Sequence, residues 1–176
     1  VIPPIDPIPD TKWVKRVKFK SEMLSKFWGQ DIYLGATILL PKGYDENPNQ
    51  KYPVNYIQGH FSTAAPNGLT EVDPGENANP RARAGYDYYK YWNEDGTPRM
   101  ILVTFQHPCP YYDDSYAVNS PNVGPYGDAI MQELIPYLEK NFRIINEPYA
   151  RILSGGSTGG WIALALQLFY PDFFGG

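Results

Sequence analysis

The stretch Ser154-Gly155-Gly156-Ser157-Thr158-Gly159-Gly160 decides how this chain is expected to fold. A short apolar run at residues 149–153 precedes it, and a helical pattern at residues 161–170 follows it. The predicted order is therefore a strand, a tight turn and a helix. A serine on such a sharp turn takes a strained backbone conformation that presents its hydroxyl group to a substrate.

Residues 155–159 match the pattern G-x-S-x-G, the signature of a nucleophile elbow. Gly155 and Gly159 supply the small residues that are needed where the turn approaches neighbouring backbone. The following helix points its free N–H groups and positive dipole end at the turn. We therefore expect Ser157 to be a nucleophile and the Thr158 amide to be one half of an oxyanion hole. The alternative is a glycine-rich turn that binds a phosphate, although no lysine follows it as in a P-loop.

The composition is that of a globular protein, with 43% apolar and 19% charged residues among 176. This length corresponds to about one domain. The formal net charge of -4 argues against nucleic acid as a partner. No apolar run is long enough to span a bilayer. Cys109 is the single cysteine, so no disulfide can form within the chain and the compartment stays open.

Residues 1–11 are rich in proline and are expected to form an extended arm ahead of a single domain over residues 12–176. No charged-then-apolar signal peptide is visible at Val1. The arm is compatible with a new N-terminus left by signal removal. The localisation is therefore unknown from the sequence, with a secreted or periplasmic one slightly favoured.

The rest of the chain alternates between strand and helix patterns. Strands are predicted at residues 13–19, 31–40, 52–58, 100–106 and 149–153, the first near a sheet edge. Helices are predicted at 81–92, 126–142 and 161–170, with Pro136 expected to kink or restart the second. This order predicts an α/β fold with antiparallel leading strands and helices on the sheet. An aromatic cluster in residues 86–92 is expected to pack on the core, the alternative being a substrate-binding wall or lid.

Four segments give the chain a family likeness: ATILLPKGY at 36–44, YPVNYIQG at 52–59, ELIPYLE at 133–139, and the serine turn with YPDFF at 170–174. With these segments the chain resembles the putative-esterase family of α/β-hydrolases, which includes esterase D, feruloyl and acetyl xylan esterases and enterochelin esterases. Members of that family usually carry His-Gly at the end of the third strand, where this chain has Gln58-Gly59.

The resemblance implies an α/β-hydrolase fold, here the N-terminal part of a mostly parallel sheet flanked by helices and lacking its C-terminal strands. It also implies a serine esterase without a cofactor. Ser157 matches the family nucleophile and Thr158 the first oxyanion donor. The second donor is expected from the loop after the third strand, at His60 or Phe61. The family order of serine, acid and histidine places the acid and the histidine after Gly176. The chain is thus expected to be the N-terminal part of a domain. Its expected partners are the C-terminal remainder of that domain and a small-molecule or glycan ester as the substrate.

Two histidines, His60 and His107, follow predicted strands at the sheet edge where α/β sites assemble. Either could in principle serve Ser157 as a base, but the family histidine lies after the last strand. We expect a backbone oxyanion role at His60, a hydrogen-bonded loop role at His107, and a solvated loop at Asp113-Asp114. No set of His, Cys and Asp residues converges, so no metal site is expected.

Two other functions remain open from the sequence. An acyltransferase would use the same groups with an alcohol or sugar in place of water. A binding module would keep the fold without turnover, an interpretation motivated by Gln58 and by the missing triad partners.

Overall fold

A computed structural model describes residues 8–59, 62–111 and 114–176 of the chain. Most of the predicted proline-rich arm lies outside the described residues. The same holds for His60 and Phe61, the predicted second oxyanion donors, and for Asp113. None of the helices in the described segments is long and apolar enough to cross a membrane.

The chain begins with two antiparallel strands, β1 (Val14–Ser21) and β2 (Ile32–Leu39). Helix α1 (Glu22–Trp28) connects them and was missed by the sequence patterns. The Ser21 hydroxyl accepts from the Leu24 amide, and Gly29 ends the helix in the left-handed region at φ 67°. A serine N-cap and a glycine just past the last turn are recognised helix boundaries, so these two residues were the available signal.

The middle of the chain contributes β3 (Val54–Gln58), α2 (Pro80–Trp92) and β4 (Ile101–Gln106). Residues 62–100 hold α2, where a helix was predicted at residues 81–92, and a 3-10 turn at Pro66–Gly68. Helix α2 begins after Asn79, whose side chain accepts from the Ala82 amide, and its second boundary is as predicted. The segment is therefore more ordered than a loop.

The predicted helix around Pro136 is built from three consecutive pieces. They are α3 (Tyr126–Ala129), a π-helical turn (Ile130–Leu134) and α4 (Ile135–Asn141). Proline cannot donate a helical hydrogen bond, and the wider π turn directly before it accommodates the loss. A short hairpin, β5 (Asn119–Ser120) and β6 (Gly124–Pro125), precedes α3 and carried no usable pattern because its strands are two residues long.

The last elements are β7 (Arg151–Gly155) and α5 (Thr158–Phe169). The five long strands form one sheet in the order β1-β2-β4-β3-β7. The pairs β1–β2 and β2–β4 are antiparallel, whereas β4–β3 and β3–β7 are parallel. The antiparallel leading strands and the edge position of β1 agree with the sequence prediction.

Helices cover both faces of this sheet. The larger core lies under α1, α3, α4 and α5, and the smaller one lies under α2. Trp92 of α2 is buried and donates from Nε1 to the Leu40 carbonyl oxygen at 2.8 Å. Tyr88 stacks on Trp92, and Tyr89 meets Trp13 edge-on. Packing therefore accounts for these members of the aromatic cluster.

The strand that leads to the serine turn is anchored at its start by a nearly buried ion pair. Arg151 contacts both carboxylate oxygens of Glu139, at 2.7 and 3.1 Å. Its guanidinium also lies 4.0 Å from the centroid of the Phe173 ring. A bidentate Arg–carboxylate contact fixes the relative orientation of the two side chains as well as their distance. This contact ties β7 to α4 at the end of the strand opposite Ser157.

The outer edge of β7 is paired by the last residues of the chain. Gly175 donates its amide to the Arg151 carbonyl oxygen at 3.0 Å, and the Leu153 amide donates to Gly176 at 2.7 Å. Helix α5 beside this edge contains no charged residue. Its outer side exposes a row of large apolar side chains, Trp161, Leu164, Leu168 and Phe169. A helix that is apolar all round is usually covered on all sides.

Candidate active site

Ser157 occupies the turn between β7 and α5 in a backbone conformation that residues with a Cβ rarely adopt. Its φ is 54° and its ψ is -123°, and the residue is exposed. Positive φ at a residue other than glycine carries strain that the surrounding structure must hold in place. The turn thus presents the Ser157 side chain at the surface above the carboxyl end of β7.

Gly155 and Gly159, two residues before and two residues after the serine, are required by close backbone contacts. A Cβ on Gly155 would lie 2.3 Å from the carbonyl carbon of Gly159. A Cβ on Gly159 would lie 2.1 Å from the carbonyl oxygen of Gln58. Both distances are far below van der Waals contact. Gly156 differs, because a Cβ there would meet nothing within 4 Å.

The first turn of α5 gathers amide groups at the serine. Gly160 and Trp161 donate to the Ser157 carbonyl oxygen at 3.0 and 3.3 Å, and Gly159 donates to Gly156 at 2.9 Å. Thr158 comes before these donors, and the first amides of a helix have no acceptor within it. The first turn carries no acidic residue to offset the positive end of the helix dipole. This end of α5 therefore favours negative charge beside Ser157.

Strand β3 brings a second segment of backbone to the same place. Gln58, its last residue, pairs with Gly155 in the parallel register of β3 and β7. The Gln58 side chain is buried and donates from Nε2 to the Tyr56 carbonyl oxygen at 3.2 Å, within its own strand. Gly59 follows beside the serine turn, so the chain leaves β3 next to Ser157. The proposed donors His60 and Phe61 come next and are outside the described residues.

His107 and Ser157 follow strands that are not neighbours in the sheet. His107 follows β4, and β3 lies between β4 and β7 in the sheet. Its side chain is 1% exposed, with Nδ1 2.9 Å from Asp114 Oδ1 and 2.9 Å from Ser115 Oγ. These contacts agree with the predicted hydrogen-bonded loop role. The prediction of a solvated Asp114 was wrong, since its side chain is only 4% exposed and contacts this buried imidazole.

The loop after His107 contains two residues in the left-handed region, which no sequence signal indicated. Tyr116 has φ 54° and Ala117 has φ 53°. Asn, Asp and Gly are the residues that favour this region, so the positive φ values could not be predicted from a tyrosine and an alanine. The Tyr116 ring meets the Trp161 ring edge-on, with centroids 5.6 Å apart. The loop thereby contacts the first turn of α5.

Other components of a hydrolytic site are not found among the described residues. In residues 8–59, 62–111 and 114–176, no histidine or carboxylate hydrogen-bonds to the Ser157 hydroxyl, and no group of three His, Cys, Asp or Glu side chains could hold a metal. What this part of the chain assembles is a strained serine, a helix N-terminus and the end of β3.

Two of the comparisons with known proteins find similar ones. The model of the putative esterase family matches residues 29–176. A ferulic acid esterase structure is 24% identical with a TM-score of 0.62, over 92% of this chain and 57% of its own. A substrate-bound fluorophosphonate-binding serine hydrolase from Staphylococcus aureus is 15% identical with a TM-score of 0.59, over 92% and 53%. An S-formylglutathione hydrolase from Agrobacterium tumefaciens is 15% identical with a TM-score of 0.55, over 94% and 57%.

No curated protein sequence matches the chain. At the identities given above the solved structures show the fold, a mixed sheet flanked by helices as in α/β-hydrolase esterases. The chain spans little more than half the length of these structures. The family model, in contrast, covers most of the chain. The chain therefore belongs to the putative esterase family.

Proposed function

We propose that this chain is the nucleophile-bearing part of a serine carboxylic ester hydrolase. The observation that carries the proposal is the backbone of Ser157, which is held at φ 54° between a strand and the N-terminus of a helix. Strain of this kind persists where the surrounding structure enforces it, and it clusters at reactive sites. Membership of an esterase family supports ester cleavage as the reaction.

In this proposal Ser157 Oγ attacks the ester carbonyl carbon and its proton passes to a histidine beyond Gly176. The Thr158 amide and an amide of the loop at His60 and Phe61 stabilise the tetrahedral oxyanion. The alcohol leaves with the proton that the histidine received, and an acyl-enzyme remains on Ser157. Water, deprotonated by the same histidine, then attacks the acyl group and releases the carboxylic acid.

The proposed substrate class is a carbohydrate-linked or aromatic ester. The tyrosine-rich loops support it, since aromatic side chains bind sugar and ring surfaces. One solved neighbour is named a ferulic acid esterase. Transfer of the acyl group to an alcohol or sugar would use the same groups as hydrolysis, and product analysis with and without such an acceptor separates the two reactions.

The test is labelling of the full-length protein with a fluorophosphonate probe, followed by peptide mapping. One adduct is expected, on Ser157, and Ser157→Ala should abolish both the adduct and ester turnover. Ser154→Ala is the matched control, because Ser154 lies on the same segment but its hydroxyl donates to Asn55 at 2.9 Å. Ester cleavage retained by Ser157→Ala would refute the assignment. Saturable ester binding without any adduct in the unmodified protein would instead support a binding module.

A further inference from the structure

We infer that Tyr116 and Trp161 form a wall beside Ser157 that binds a planar apolar group of the ester, and that this wall sets substrate preference. The inference rests on the proposed ester chemistry and extends it by naming residues that contact the substrate. It is carried by the position of Trp161, by the geometry of the loop that holds Tyr116, and by the exposure of both rings.

Trp161 belongs to the first turn of the helix that begins at the serine. Its amide donates to the Ser157 carbonyl oxygen at 3.3 Å. Side chains on a helix lean toward its N-terminus, so the indole covers surface on the Ser157 side of its own Cα. It is 52% exposed, although an indole in a packed protein is normally well covered.

Tyr116 faces this indole from a loop held in an unfavourable backbone conformation. A bulky residue at φ 54° is a genuine outlier, and the next residue, Ala117, repeats it at φ 53°. The Tyr116 ring meets Trp161 with an interplanar angle of 88°, and Tyr116 remains 45% exposed. An edge-to-face pair with two half-exposed rings leaves aromatic surface free for a third ring.

The loop is held in place by a cluster of three side chains, those of Asp114, Ser115 and the buried His107. The Tyr116 amide donates to Asp114 Oδ1 at 2.8 Å, and the Ala117 amide donates to Ser115 Oγ at 3.1 Å. Both acceptor side chains contact His107 Nδ1 at 2.9 Å. The loop that follows β4 is thereby attached to the sheet, and Tyr116 is held against α5. His107 is thus a positioning residue, which acts through Asp114 and Ser115.

The apolar row on α5 begins at Trp161 and continues away from Ser157, and Trp161, Leu164, Leu168 and Phe169 line one cavity. Leu164, Leu168 and Phe169 lie one to two turns further from Ser157. Trp161 alone is paired with a residue of the strained loop. Leu168 is therefore a suitable control position, being exposed, apolar and on the same helix.

The test compares three esters in the full-length protein. Methyl cinnamate carries a ring on the acyl side, benzyl acetate carries one on the alcohol side, and ethyl acetate carries none. Trp161→Ala and Tyr116→Ala are expected to lower kcat/KM about tenfold for one ring-bearing ester, mainly through KM, and less than about threefold for ethyl acetate. Which ring-bearing ester is affected tells which side of the ester the wall binds. Trp161→Phe and Tyr116→Phe should restore most of the loss, and Leu168→Ala should show none.

A second arm separates this inference from the proposed function. Binding of methyl cinnamate, benzyl acetate and the ring-free ethyl acetate is measured by calorimetry on Ser157→Ala, with and without Trp161→Ala. Ring-selective weakening in that background supports the wall even if the protein cleaves no ester. An equal loss for all three esters, or no loss for either ring-bearing ester in turnover and in binding, would overturn the inference.

Discussion

The carbonyl oxygen of Gln58 lies 2.1 Å from the position that a Cβ on Gly159 would occupy. The end of β3 and the first turn of α5 are therefore in direct backbone contact. This contact joins the strand that leads to the proposed second oxyanion donor with the helix that follows the proposed nucleophile.

Gly159→Ala should consequently be one of the most damaging small substitutions in this chain. The added methyl meets backbone, which cannot rotate away, so β3 and α5 must separate. We expect a loss of about 3 kcal/mol in the free energy of unfolding, measured by urea denaturation of the full-length protein. Gly156→Ala is the matched control, because its methyl would meet nothing within 4 Å. Equal stability of the two variants would contradict the contact.

Ser157 itself should show an inverted stability order between alanine and glycine. Alanine is normally favoured over glycine by about 0.5 to 1 kcal/mol, because glycine is the more flexible residue in the unfolded chain. At φ 54° the Cβ is strained, and glycine removes that strain. We therefore expect Ser157→Gly to be at least as stable as Ser157→Ala, with both inactive. A denaturation midpoint clearly higher for Ser157→Ala would show that the turn is unstrained.

Stability should fall at alkaline pH because of buried tyrosines. Burial raises the pKa of Tyr126, and burial together with the bond to Asp128 raises the pKa of Tyr170. The unfolded chain loses these protons from about pH 10, whereas the folded chain keeps them, so the free energy of unfolding decreases as pH rises above that value. Tyr126→Phe should flatten this decrease. If Tyr126→Phe left the pH dependence of the free energy of unfolding unchanged, Tyr126 would not be a cause of the alkaline loss of stability.

Residues 1–176 expressed alone should aggregate through the outer side of α5. Leu164, Leu168 and Phe169 are each more than half exposed and lie beside the edge of the sheet. Exposed apolar surface of this extent drives association. Leu164→Glu with Leu168→Lys should reduce light scattering markedly. Tyr149→Ser, which removes an exposed ring elsewhere, should not. A monodisperse monomer of residues 1–176 that melts cooperatively would refute this prediction.

The sequence predicted the five long strands, α2 and α5 because each has a strong apolar period or a clear boundary residue. It missed α1 although Ser21 and Gly29 mark its ends, because seven residues give only a short pattern. Part of the helix's stabilisation comes from Glu133, which accepts from the Ser21 hydroxyl and from the Met23 amide. No local pattern can reveal a partner more than a hundred residues away.

For the site, local chemistry predicted where Ser157 and its glycines should lie, since the turn is encoded in consecutive residues. The loop at Tyr116 could not be predicted in the same way. Its backbone is held by His107 and by contact with α5, and both of these are tertiary contacts. The burial of Asp114 was missed for the same reason, because an aspartate in a polar stretch is normally solvated.

The pairing of β7 with β3 also determines when the serine turn can form during synthesis. Val54 pairs with Arg151, about a hundred residues later in the chain, so the contact closes a long loop and is costly in entropy. At roughly 5 to 20 residues per second, β7 leaves the ribosome some 5 to 20 seconds after β3. During that interval the nascent chain holds an unpaired parallel edge on β3. That edge is the point at which a foreign strand could capture the chain before the serine exists.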